Sequence, residues 1–312
     1  MSFFFVVDEY TDIASSEEAR RLCDIVKDAL SNPHAPRPAG EWIGGEVTRQ
    51  FWENAVKTGT LSFQNRFVKT FGDYLDAVVE QAIDRNNSRV RDVETYFEIR
   101  RDSIGALPSL VLMGIHMNLP DYIFADPVVS RLVTLTVDMI ILCNDFCSYN
   151  VEQARGDDTR NIIRVFMDMH KTDIQGALGH VSNLHDKISQ EFLDLVGNVP
   201  MFSDTIIDSE VSTFVDGLAN WVRANDCWSF ESHRYFGSQG VEIQETRVVE
   251  LLAKIDSSPA ANQKGGGWSL KTISEYLIEG NRGIPRLLYD MVFGSQRGQA
   301  KKLLPAATEI VI

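Results

Sequence analysis

Cysteine is scarce in this sequence, with four residues among 312, at positions 23, 143, 147 and 227. That excludes a small secreted scaffold stapled by disulfides, and a reducing cytoplasm is the expected compartment. The step from Cys143 to Cys147 is not a zinc-ribbon spacing. Positive charge is also in deficit: 30 Lys and Arg face 44 Asp and Glu, a net charge of −14. A nucleic-acid partner is excluded, because its phosphates would be repelled. A small polyanion is not, since bound cations reverse the local field. Long apolar runs are missing too. Phe3–Val7 is too short for a signal peptide and has no basic residue ahead of it. Leu132–Cys143 comes nearest to a membrane span, but Thr and Asp interrupt it and it falls short of the roughly 18 residues required.

Period-two alternation is sparse and no repeat has a fixed period, so strands contribute little. Helical spacing is abundant. Ser15–Leu30 opens on Ser-Ser-Glu-Glu, a capping sequence. Residues 31–45 carry Pro33, Pro36, Pro38, Gly44 and Gly45 and read as a loop. Helices are expected over Val47–Asn54, Thr60–Arg85 and Val93–Leu107, with a kink at Pro108. Pro127–Glu152 reads as a long helix buried on most sides, followed by helices over Asn161–His170, Thr172–Val196 and Ser203–Cys227. The fold class is all-α. Residues 1–255 make the main domain, 256–267 a linker with three consecutive glycines, and 268–312 a C-terminal extension.

Four segments carry polar chemistry. Asp8 and Asp12 lie four apart, so on a helix their carboxylates share a face. Such a pair suits Mg²⁺, which prefers hard oxygens and keeps waters, and it equally suits a solvated helix face. Asn144, Ser148 and Glu152 repeat the four-residue step after an almost wholly apolar stretch. An amide oxygen, a hydroxyl and a carboxylate can form a second oxygen cage, or mark the end of a buried helix surfacing into water. Arg234 with Tyr235 offers a forked donor and a phenol to an anion. A double Arg, Arg100 and Arg101, precedes Gly105 in a mostly apolar stretch. The pair either meets a buried anion or bridges, exposed, to nearby acids such as Glu98, and the glycine permits a helix break or the close approach of a backbone.

Taken in order, these segments resemble the class I terpene synthases, in particular the fungal, basidiomycete-like sesquiterpene synthases. Asp8-Glu9-Tyr10-Thr11-Asp12 is similar to the family's aspartate-rich motif, and Asn144, Ser148 and Glu152 to its asparagine-serine-glutamate triad. Arg101, Ile104 and Gly105 resemble its diphosphate sensor, linker and helix-break effector. Asn225, Trp228, Ser229, Ser232, Arg234 and Tyr235 match the longer pattern that ends in Arg-Tyr. The resemblance departs at Val151, where the family often has Lys, and fades after about Leu252. Only seven residues precede Asp8, so the chain is expected to be N-terminally shortened, lacking the first helices of the bundle.

The resemblance implies an isoprenyl diphosphate substrate, read as farnesyl diphosphate, cyclised by an Mg²⁺-dependent lyase with three ions. Asp8 and Asp12 would hold two and Asn144, Ser148 and Glu152 the third. Arg101, Arg234 and Tyr235 would bind diphosphate, and Phe4, Phe5, Tyr96 and Trp228 are candidates to face a carbocation. A chain-elongating prenyltransferase is disfavoured, because Asn-Asp-Phe-Cys-Ser stands where that class has a second aspartate-rich motif. A shortened, catalytically silent helical protein is the remaining alternative.

Overall fold

The computed structural model describes residues 2–86, 91–255 and 309–311. Helices dominate, as the spacing predicts, with one small antiparallel strand pair among the described residues. The expected linker lies outside them, as does the expected extension apart from 309–311. The chain divides into two compact units, Met1–Phe146 with Thr159–Asn225, and Cys147–Asp158 with Asp226–Ile312.

The first unit is built on helix α4 (Leu61–Asn86). Phe63, Phe67, Phe71, Tyr74, Leu75, Val78 and Val79 recur along one face and are buried. Burying each large apolar side chain contributes roughly 1.5–3 kcal/mol. Against that stripe pack Phe4 and Val7 of α1 (Ser2–Thr11), Cys23, Val26 and Leu30 of α2 (Ser16–Ser31), and Trp52 and Ala55 of α3 (Ile43–Ala55). Trp52 stacks on Phe67 at 5.0 Å between ring centres, and Phe4 meets Phe71 edge-on at 5.0 Å. The helix starts follow the side chains that satisfy otherwise unpaired N–H groups. Ser15 accepts from the Glu18 N–H (3.2 Å), and Asp92 from the Thr95 N–H (2.9 Å) at the head of α5 (Val93–Ser103).

Two expected boundaries move. Gly44 and Gly45, assigned to the loop, lie in the first turn of α3. A Cβ on Gly45 would stand 2.7 Å from Ile25 Cγ2, so the glycine serves the close approach of α3 to α2 and not a turn. No break falls at Pro108; the one that Gly105 allows does form, its φ of 71° ending the α5 run and starting α6 (Ala106–Val111). Pro108 sits within the first turn of α6, where its missing N–H is not needed.

Past the short helix α7 (Asp121–Ala125), helix α8 (Pro127–Arg155) begins with Asp126 accepting from the Val128 and Val129 N–H groups at 2.9 and 3.2 Å. By length and composition α8 could cross a membrane, the one such helix among the described residues. Its most apolar stretch is 56% buried inside the protein, and it carries buried Asp138 and Asp145 paired with arginines. Those are marks of a core helix. Helices α9 (Ile162–His170), α10 (Ile174–Val196) and α11 (Thr205–Glu231) follow.

In the second unit, β1 (Val248–Glu250) pairs with β2 (Glu309–Val311), Val249 opposite Ile310. Asn150 fastens the segment after α12 (Gly240–Thr246) to α8, donating to the Glu250 carbonyl and accepting from the Leu252 N–H, both at 2.8 Å. Gln153 donates to the Leu252 carbonyl at 2.8 Å. A Cβ on Gly240 would stand 1.8 Å from the Phe230 carbonyl oxygen, so only glycine lets α12 begin there.

Candidate active site

Helix α1 has one inward face, formed by Phe4, Val7 and Thr11. Asp8 lies one turn above Phe4, on the side where Phe4 touches Phe71 and Tyr74. The charge of Asp8 therefore reaches into the aromatic core. Tyr74 records it: its phenol is pushed well above the ordinary tyrosine range, first by burial and then by the negative charges of Asp8 and Asp12, with Arg100 opposing. Asp12 follows just past the helix end, its N–H still bonded to the Asp8 carbonyl at 2.9 Å. Its half-exposed carboxylate stands 3.7 Å from Arg160 Nη1.

Arg100, adjacent to the expected sensor, joins this neighbourhood to α8. Its Nη2 donates to Asn144 Oδ1 at 2.7 Å and to Asp145 Oδ1 at 3.0 Å. Asp145 is 1% exposed and acts as a hub. It accepts from the Tyr96 hydroxyl and from the Ile162 N–H (2.8 Å), and its backbone carbonyl accepts from Asn161 Nδ2 at 2.7 Å. Asn161 in turn caps α9 through the Ile163 N–H at 3.0 Å. Asp145, Arg100 and Asn161 are absent from the site read off the sequence. The available signal was a carboxylate one position off the Asn144-Ser148-Glu152 stripe, about 100° around the helix and thus turned to the core. Tyr96, proposed as a carbocation-facing ring, is buried with its hydroxyl committed to Asp145. Phe4 is likewise a core residue.

Arg101 points elsewhere. Its Nε and Nη2 donate to the two oxygens of buried Asp138, at 2.7 and 3.0 Å, a forked pair with a partly exposed guanidinium. Four residues on, a Cβ built on Gly105 would lie 3.5 Å from rings of both Phe4 and Tyr74. The left-handed turn between α5 and α6 therefore rests on the aromatic base beneath Asp8. Within the first unit Asp8, Asp12 and Arg100 bear on Tyr74, Arg100 contacts Asn144, and Arg101 and Gly105 lie at the end of α5.

Ser148 and Glu152 continue the four-residue step on α8, where Ser148 is buried and Glu152 half-buried. In the second unit Trp228, at the end of α11, meets Tyr235 edge-on at 6.1 Å, and the Arg234 guanidinium lies 5.8 Å from the Tyr235 ring centre. Arg234 and Tyr235 thus form one patch, set by a turn in which His233 has a φ of 62°.

Among the described residues no three His, Cys, Asp or Glu side chains converge. A cage made by such side chains alone is therefore not offered. The donors present are hard oxygens of mixed type, and Asn144 Oδ1 already faces a cation. That suits an ion such as Mg²⁺, which completes its shell with water and phosphate oxygens.

Solved proteins of the same architecture are helical terpenoid synthases. A cucumene synthase variant superposes with a TM-score of 0.65 at 22% identity, over 73% of this chain and 77% of its own. An α-eudesmol synthase gives 0.63 at 21% identity, over 73% and 76%. The fold is that of the class I terpenoid synthases. In sequence, residues 1–191 match the family described as terpene synthase family 2, C-terminal metal binding. A Delta(6)-protoilludene synthase of Stereum hirsutum is 48% identical over 252 residues, 81% of this chain and 68% of that protein. One from Armillaria gallica is 49% identical over 263 residues, 84% and 76% of the two chains. This chain belongs to the terpene synthase family.

Proposed function

We propose that the chain ionises farnesyl diphosphate and cyclises the resulting cation to a sesquiterpene, releasing diphosphate, with three Mg²⁺ ions. The observation that carries this reading is the 2.7 Å hydrogen bond from Arg100 to Asn144, which ties the end of α5 beside Arg101 to the Asn144 stripe of α8. Asp8 and Asp12 act on Tyr74, Arg100 acts on the same group, and Arg100 holds Asn144. Relatives named as Delta(6)-protoilludene synthases and as a sesquiterpene synthase support it, at 46–49% identity over four-fifths of the chain or more.

In this reading Asp8 and Asp12 hold two ions, and Asn144, Ser148 and Glu152 the third. Bound Mg²⁺ supplies charge neutralisation to a leaving group that is otherwise poor. The protein's own part is to orient and to stabilise. Arg101, fixed by Asp138 through Nε and Nη2, keeps its Nη1 edge for diphosphate oxygens. Arg234 and Tyr235 donate to the same anion as charge develops on it. The turn at Gly105 ends the helix that carries Arg101 and rests on Phe4 of α1. Apolar side chains exclude water from the carbocation, and the released diphosphate accepts the final proton. The reaction belongs in the cytoplasm.

Incubation with farnesyl diphosphate and Mg²⁺, read by gas chromatography and mass spectrometry, tests this. Cyclic C15 products are expected, and Delta(6)-protoilludene is the reference compound the relatives suggest. Longer prenyl diphosphates in their place would indicate chain elongation, and an inert chain would indicate a silent protein.

A further inference from the structure

We propose that Arg100 is a cationic placeholder on the metal-ligating oxygen of Asn144, kept there by Asp145 and released when diphosphate arrives. The inference rests on the reading of Asn144 as a metal ligand. Arg100 is distinct from Arg101, whose guanidinium is committed to Asp138. A single nitrogen of Arg100 spans Asn144 Oδ1 and Asp145 Oδ1. Its side chain is 16% exposed and Asp145 is nearly sealed from solvent, so the contact is well shielded. Asp145 cannot shift to follow a moving arginine, because Tyr96 and the Ile162 N–H fix its other oxygen.

A divalent ion on Asn144 Oδ1 would stand within a few ångströms of that guanidinium, where like charges repel strongly at low dielectric. The oxygen therefore takes a metal only after the Arg100 contact is given up. An arriving diphosphate supplies acceptors for the freed N–H groups and screens the two cations from each other. Metal and diphosphate then raise each other's affinity, as linkage requires. Arg100 is a positioning residue in this scheme. It keeps the cation slot filled in the empty enzyme and ties metal loading to substrate.

The test is binding of Mn²⁺ to the full chain, read by electron paramagnetic resonance, without and with inorganic diphosphate and with the solution Mn²⁺–diphosphate complex subtracted. Arg100→Gln combined with Asp145→Asn removes the guanidinium without stranding a buried carboxylate. With Mn²⁺ alone, this variant is expected to bind roughly tenfold tighter than the parent, the weight of one hydrogen bond to a charged group. The gain from added diphosphate should shrink by a similar factor. Adding Asn144→Ala should abolish the difference. A folded double variant that binds Mn²⁺ no better than the parent overturns the placeholder. Undiminished Mn²⁺ binding by Asn144→Ala in the presence of diphosphate overturns instead the reading of Asn144 as a ligand. Should the double variant not fold, Arg100→Lys, one bond shorter in reach, should shift affinity in the same direction by a smaller factor, and no shift counts against the proposal.

Discussion

Asp145→Ala should unfold the enzyme at a much lower temperature than any exchange on the Asn144 stripe. The residue is 1% exposed, and its carboxylate pairs with Arg100 at 3.0 Å and accepts from the Tyr96 hydroxyl and, at 2.8 Å, from the Ile162 N–H. Alanine leaves the arginine without its carboxylate and strips acceptors from a buried N–H and a buried hydroxyl. Removing one partner of a buried ion pair costs about 3–5 kcal/mol. For a protein of this size each kcal/mol moves the melting point by about 2–4 °C, so a fall of roughly 10 °C is expected. Asp145→Asn should be milder, about 1–2 kcal/mol, because the amide oxygen still accepts from Tyr96 and Ile162. Circular dichroism melts of the three proteins measure this. An Asp145→Ala protein melting within about 2 °C of the parent, or an asparagine variant as damaged as the alanine one, would refute the hub.

Gly105→Ala should cost about 1–2 kcal/mol in urea unfolding, because alanine disfavours the φ of 71° even though its Cβ meets only ordinary contacts at 3.5 Å; unchanged stability would mean that the turn relaxes freely. Burial pushes the Cys23 thiol from an ordinary 9.0 up to about 12. Its folded-state value is thus raised above the unfolded one, so the contribution is complete below about pH 9 and is lost as pH rises from there towards 12. Native protein at pH 8 should therefore label at Cys23 more slowly than at half-buried Cys143 or Cys227, and Cys23→Ser should flatten part of the alkaline loss of stability; mass-spectrometric mapping of a maleimide label and melts across pH read the two effects.

Much of the fold was legible because its signals are local. Apolar spacing and the cap at Ser15 place the helices within a few residues. The stripe of Asn144, Ser148 and Glu152 was legible for the same reason, since helix geometry alone aligns it. What escaped depends on partners distant in sequence. Asp145 becomes a hub only because Tyr96, Arg100 and Ile162 come to it. Gly45 lies in a helix and not a loop, and is glycine because Ile25 leaves no room for a side chain. The pairing of Val248–Glu250 with Glu309–Val311 joins strands of three residues, too short to show a period. Pro108 misled because a proline in the first turn of a helix is harmless, whereas Gly105 carries the positive φ.

The most direct measurement is diphosphate release from farnesyl diphosphate as a function of Mg²⁺ concentration, for the parent chain and for Asn144→Ala and Glu152→Ala with folding checked by melts. Release is expected to need Mg²⁺ and to fall by about two orders of magnitude or more in either variant, as when transition-state stabilisers are removed. Undiminished release from folded Asn144→Ala or Glu152→Ala, or release that persists in chelator, would contradict the assignment of these residues to the metal.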